Sequence, residues 1–221
     1  MANKLETHPD IPLDLPTAER IQAAVAHYGE DVVSANAVTL LRAKNAGKDF
    51  LLYAGGRHAL GILEGAPALY WPELWGARTL LYVWNDSAAP YVVVGLTNQA
   101  WRIREMCARV VQLRELQVAP KLVRLTTDEV PRVRSAALTA LAAQGTAEHL
   151  DTIAQRLRDS DKEVRRTARA ARETLTARIL ASGEALPPRE TVSATEETAA
   201  VAEESTLTEA VEAASTTDAA E

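Results

Sequence analysis

A thirty-residue echo runs through the middle of the chain and limits what it can fold into. Ala89-Pro90-Tyr91-Val92-Val93 is answered thirty residues on by Ala119-Pro120-Lys121-Leu122-Val123, with Thr97 answered by Thr127 and Asn98 by Asp128. Trp71 steps to Trp101. Ala77 steps to Cys107, to Ala137 and, one residue further, to Ala168. Ile103-Arg104, Val133-Arg134 and Val164-Arg165 recur at spacings of 30 and 31. A fixed period of this length marks a stack of supersecondary units, each burying its apolar side only against the next copy.

Inside the period the apolar residues fall at helical spacing, as in Val133, Ala136, Ala137, Ala140 and Leu141. Each unit is expected to be a helix pair. First helices are predicted over 72–84, 102–116, 132–143 and 162–180, and second helices over 90–97, 120–126 and 147–158. Pro90 and Pro120 suit a first helical turn. Asn98, Asp128 and Ser160 or Asp161 are placed in turns between units, where N-cap residue types belong. Gly145 breaks the third pair, giving three pairs plus a final helix. In that helix Arg169 and Arg172 replace Leu138 and Leu141, as a polar cap on a stack should.

The expected architecture is therefore all-α, an α-solenoid of short helix pairs, in three parts. Residues 1–70 form an N-terminal helical capping region, 71–180 the repeat stack and 181–221 an acidic tail. In the first part, helices are predicted over 17–28 and 31–44, while 49–63 is open between strand and helix, with degenerate capping helices preferred. In the tail, Pro187-Pro188 and a run of Glu, Ala, Thr and Ser without aromatics predict disorder, because too little apolar surface is available to offset ordering entropy.

This pattern resembles the HEAT and HEAT-like (bilin-lyase-type) repeat family. The residues that carry the resemblance are Asp128 and Pro131-Arg132-Val133-Arg134-Ser135-Ala136-Ala137-Leu138-Thr139-Ala140-Leu141. Asp161 with Glu163-Val164-Arg165-Arg166-Thr167-Ala168 forms a second copy, and Trp101 to Ala108 a weaker one. The resemblance covers about half of the chain. It implies a scaffold or binding surface rather than a particular chemistry. It also implies that Arg104, Arg134 and Arg165 form a structural ladder with turn carboxylates, Asp128 and Asp159 or Asp161.

Charge divides the chain. Residues 101–180 carry 16 basic and 10 acidic side chains, a balance of +6, and residues 181–221 carry Arg189 against 10 acidic groups, a balance of −9. The basic block would attract an acidic protein or a nucleic acid. The tail could lie across it as an internal competitor. A single cysteine excludes an internal disulfide framework, and four scattered histidines leave no zinc-ligand spacing. Apolar runs are too short to span a membrane. No secretion signal is read at Met1, so the expected location is cytoplasmic.

No catalytic constellation stands out, so the reading is a non-enzyme without cofactor or metal. Gly55-Gly56-Arg57-His58 lacks phosphate-loop spacing and reads as a turn or kink. Cys107, in register with alanines, reads as a small buried contact rather than a nucleophile. A bilin-lyase-like role would need converging acid and base groups, and none is found. The expected function is a protein-interaction scaffold or adaptor. The alternative is a nucleic-acid binder using the basic face over 101–180, regulated by the tail. Nine of the ten aromatic residues fall between Phe50 and Trp101. Partner-binding candidates are Trp71, Trp75 and Trp101, together with Arg124, Arg156 and Arg158 on the expected inner helices.

Overall fold

A computed structural model describes residues 11–183. Among them are eleven α-helices and no strand. Of the predicted tail, residues 184–221 lie outside the described residues, while Ala181 closes the last helix.

Four helices precede the repeats: α1 (Thr17–Tyr28), α2 (Glu30–Leu41), α3 (Lys48–Gly55) and α4 (Arg57–Leu63). The ambiguous segment is thus two short helices broken at Gly56. That residue has φ +59°, and a Cβ on it would come within 2.8 Å of the Leu13 carbonyl oxygen. The repeat region continues with α5 (Trp71–Thr79), α6 (Ala89–Gly95), α7 (Trp101–Leu113) and α8 (Ala119–Leu125). It ends with α9 (Pro131–Gln144), α10 (Leu150–Gln155) and α11 (Lys162–Ala181). Short 3-10 turns sit at Asp86–Ala88, Ala147–His149 and Arg156–Arg158.

The equivalence read from the period holds in space. Ala77, Cys107, Ala137 and Ala168 are each the seventh residue of α5, α7, α9 and α11, and each is 0% exposed. A small side chain there lets neighbouring helices approach closely. Ile103, Val133 and Val164 occupy a second fully buried row one turn nearer the helix starts. Gly95 leaves room for the Cys107 sulfur, where any Cβ would collide with it.

The pairing is phased differently from the expectation. Each short helix packs most closely on the long helix that follows it, α6 on α7, α8 on α9 and α10 on α11. The unit is short-then-long, so α11 completes a third pair instead of standing alone. The turns holding Asn98, Asp128 and Asp159 accordingly lie inside pairs. The long helices form one continuous row, α5–α7–α9–α11, while the short helices do not pack closely on one another. The contiguous layer is therefore made of the long helices, and the second helices, expected to form the inner surface, make no such layer among the described residues.

The row also extends beyond the repeats, because α2 packs along α5. Gly76 permits this: a Cβ there would overlap the Ala37 carbonyl and sit 2.6 Å from the Leu41 nitrogen. Arg20, only 8% exposed, ties α1 to the end of α3 by donating from Nε to the Tyr53 carbonyl at 3.0 Å. Arg78 Nη2 reaches the Ala54 carbonyl at 3.3 Å. Cations at the carbonyl-rich end of α3 answer its dipole.

Candidate interaction surface

The arginine ladder joins one pair to the next. Arg104 donates from Nε and Nη2 to both carboxylate oxygens of Asp128, at 2.8 and 2.9 Å, and from Nη1 to the Asn98 and Gln99 carbonyls, both at 2.9 Å. Arg134 repeats this thirty residues on. Its Nε and Nη2 bind Asp159 at 2.9 and 2.6 Å, and its Nη1 binds the Asp128 and Glu129 carbonyls at 2.8 and 3.3 Å. Such bidentate, charge-assisted pairs are geometrically specific. The carboxylates are themselves aimed by the turn: Asp128 accepts from Val130 N–H and Asp159 from Asp161 N–H, both at 2.9 Å.

The second carboxylate is thus Asp159, and Asp161 is not a rung. Asp161 caps α11, accepting from the Glu163 and Val164 amides at 2.8 and 3.0 Å. The 31-residue spacing that relates Val133 to Val164 also relates Asp128 to Asp159. At the other end of the ladder, Asn98 stands where the aspartates stand, and α5 carries Leu74 in place of an arginine. With no cation beneath it, a neutral amide suffices. Burial alone would raise the Asp159 carboxyl, but the Arg134 guanidinium and the Asp161 amide outweigh it and hold it below the usual carboxylate range. The hydrogen bonds from Arg104 to Asp128 lead in raising the Arg104 guanidinium above its ordinary value.

Two further arginines serve backbone rather than solvent. Arg114 donates from Nη2 to the Leu80 and Leu81 carbonyls, both at 3.0 Å, at the end of α5. Arg178 does the same for α9, reaching Ala142 and Gly145 carbonyls at 2.7 and 3.0 Å. Both were counted in the basic block available to a partner, and neither is free. Among the described residues, the side chains of Lys121, Arg109, Arg124, Arg158, Arg169 and Arg172 make no hydrogen bond or ion pair.

The tryptophans separate into core and surface. Trp75 is 2% exposed, its ring against Gly55, so it is a core residue and leaves the set of contact candidates. Trp71 and Trp101 are half-buried and open their helices. Trp71 stacks on Trp75 with centroids 6.4 Å apart and meets Tyr70 at 5.3 Å and His58 at 4.6 Å. Arg102 lies 4.3 Å over the Trp101 ring and donates to the Tyr70 hydroxyl at 2.8 Å. Arg132 also approaches Trp101, at 5.7 Å, and pairs with the buried Glu105 at 3.2 Å. Rings and guanidinium groups therefore alternate along the starts of α5, α7 and α9. Leu69, 73% exposed and at φ +46°, projects beside them. Tyr70, Arg102 and Arg132 join the ridge beyond the sequence-based candidates, and the signal for the two arginines is their spacing of one period.

A groove of about 430 Å³ continues from this ridge across α7, α9 and α11. Arg109, Arg132 and Arg166 face Glu105, Asp161 and Glu163 along it, so its charges balance. The remaining candidates lie elsewhere: Arg124 is exposed on α8, and Arg156 and Arg158 line a polar hollow of about 320 Å³ beside Asp128 and Asp159. Cys107 is a closed case chemically, since burial pushes its thiol up to about 12. Among the described residues there is no group of His, Cys, Asp and Glu able to hold a metal ion. None of their helices is long and apolar enough to cross a membrane.

The family model for HEAT repeats matches residues 89–172, from the first residue of α6 into α11. The matched stretch begins with a short helix, in agreement with the short-then-long phase, and residues 89–172 are a HEAT-like repeat region. No curated protein matches it. HEAT repeats generally act as scaffolds for protein interaction and are typically non-catalytic.

Proposed function

We propose that this chain is a protein-interaction module, a scaffold or adaptor, which holds a partner against the aromatic–arginine ridge at the starts of α5, α7 and α9. The observation that carries this reading is the alternation Tyr70–Arg102–Trp101–Arg132, half-exposed and followed by a charge-balanced groove. Trp, Tyr and Arg are the residues that concentrate binding energy at protein interfaces. Their side chains here are already ordered by mutual stacking, so little entropy remains to be lost on binding. The test compares wild-type chain with Trp101→Ala and Arg102→Ala as bait in the native extract. A stoichiometric protein captured by wild type and lost with either variant, at unchanged helicity, supports the reading. Equal capture by all three contradicts it.

A second reading, nucleic-acid binding, is favoured by the unpaired cations Lys121, Arg124 and Arg158 on the short-helix side. It predicts DNA or RNA affinity that falls steeply with salt. The balanced charge of the groove argues against the long-helix face as the polyanion track.

A further inference from the structure

The face of α11 that looks away from α9 is an unfinished copy of an interface used twice before. On α7 that face carries Arg104, Ala108 and Val111, and on α9 it carries Arg134, Leu138 and Leu141; the four apolar residues are each 0% exposed. On α11 the equivalent positions are Arg165, Arg169 and Arg172, all exposed. The first member of each set is a ladder arginine. Arg165 keeps the inner half of the rung intact, donating from Nη1 to the Asp159 and Ser160 carbonyls at 2.7 and 3.0 Å. Those bonds match the Nη1 bonds of Arg104 and Arg134. The outer edge, Nε and Nη2, takes an aspartate in both earlier rungs. Among the described residues no carboxylate meets it on Arg165.

We infer that this face of α11 is a docking surface for an acidic segment of a partner protein, with a partner Asp or Glu carboxylate completing the third rung on Arg165. The inference rests on the reading of the chain as a protein-interaction module and names the chemistry of one partner. Three features choose the occupant. The fork is held in place by two carbonyls, so a planar carboxylate meets donors already aimed, as Asp128 and Asp159 do. A further helix pair of the same kind would bury Arg169 and Arg172 without carboxylates, which burial of charge forbids. An acidic segment instead meets them one turn and two turns along the same face. A nucleic-acid backbone needs an uninterrupted basic track, and on this face the basic positions end at Arg172, with Glu173 beside it and Thr176 the next position along.

The test uses the full chain and a short fluorescein-labelled Asp/Ser peptide, followed by anisotropy. An Asn/Ser peptide of equal length and a labelled single-stranded oligonucleotide are the comparison probes. Arg165→Ala weakens the acidic peptide by about tenfold or more, the scale of losing a charge-assisted bidentate pair. Arg165→Lys stays well short of wild type, because an ammonium cannot present the fork. Lys162→Ala removes the same charge from α11 and changes affinity less than about twofold. Equal weakening by Arg165→Ala and Lys162→Ala means unspecific charge attraction and overturns the proposal. So does an oligonucleotide that binds more tightly than the peptide and is lost on the same variants. If the Trp101 variant loses its partner while Arg165→Ala does not touch peptide binding, the docking inference fails alone and the module reading stands.

Discussion

At the scale of single residues, the same side chain has three different fates along one ladder. Arg134 and Asp159 have side chains 10% and 4% exposed, so removing one leaves an uncompensated buried charge. Arg134→Ala is expected to cost about 3–5 kcal/mol in urea or thermal unfolding. Arg165→Ala, exposed and without a carboxylate, is expected to stay within about 0.5 kcal/mol. The sign of the pH dependence follows from Asp159. Its folded carboxyl is depressed, so its contribution is present above the ordinary carboxylate value and is lost as pH falls through the lower folded value. Asp159→Asn should flatten that acid limb of the stability curve. Cys107, with its thiol pushed up to about 12, should resist a thiol reagent in native buffer and react fully in denaturant. Rapid native labelling would contradict its place between α7 and Gly95.

At the scale of elements, close approach is controlled by small residues, and two glycines make the contrast. Gly76 faces α2 backbone, so Gly76→Ala should destabilise by about 1–3 kcal/mol despite its better helix propensity. Gly61, within α4, has nothing within 4 Å of its Cβ position, so Gly61→Ala should stabilise by about 0.5–1 kcal/mol. Both are read from denaturation midpoints. The element scale also shows what a sequence reader can recover. The row Ala77, Cys107, Ala137, Ala168 and the polar end at Arg169 and Arg172 were legible, because burial imposes residue type at a fixed period. The phase of the pairs was not, since a repeat reads identically whichever helix is taken first. The place of α2 beside α5 was hidden because its contact depends on Gly76 and Ala37 rather than on a copied motif. The clamps of Arg114 and Arg178 were invisible because their acceptors are backbone carbonyls. Trp75 and Trp71 share a helical face in sequence, yet the packing of α3 at Gly55 covers only one of them.

At the scale of the whole molecule, a stack of pairs should behave as a line of neighbours, stable where each long helix has one on both sides. Helices α5, α7 and α9 each have a long helix on both sides and should exchange their amides most slowly, while α10 and α11 end the row and depend on a single interface with α9. The ladder adds a buried ion pair to the apolar packing that couples those pairs, so cutting it at one rung should loosen the units beyond it. Native-state hydrogen exchange on Arg134→Ala tests this most directly. Protection should fall across residues 147–183 while α2, α5 and α7 keep theirs. A uniform loss over all helices, or a loss confined to residues touching position 134, would contradict a nearest-neighbour stack held by this ladder.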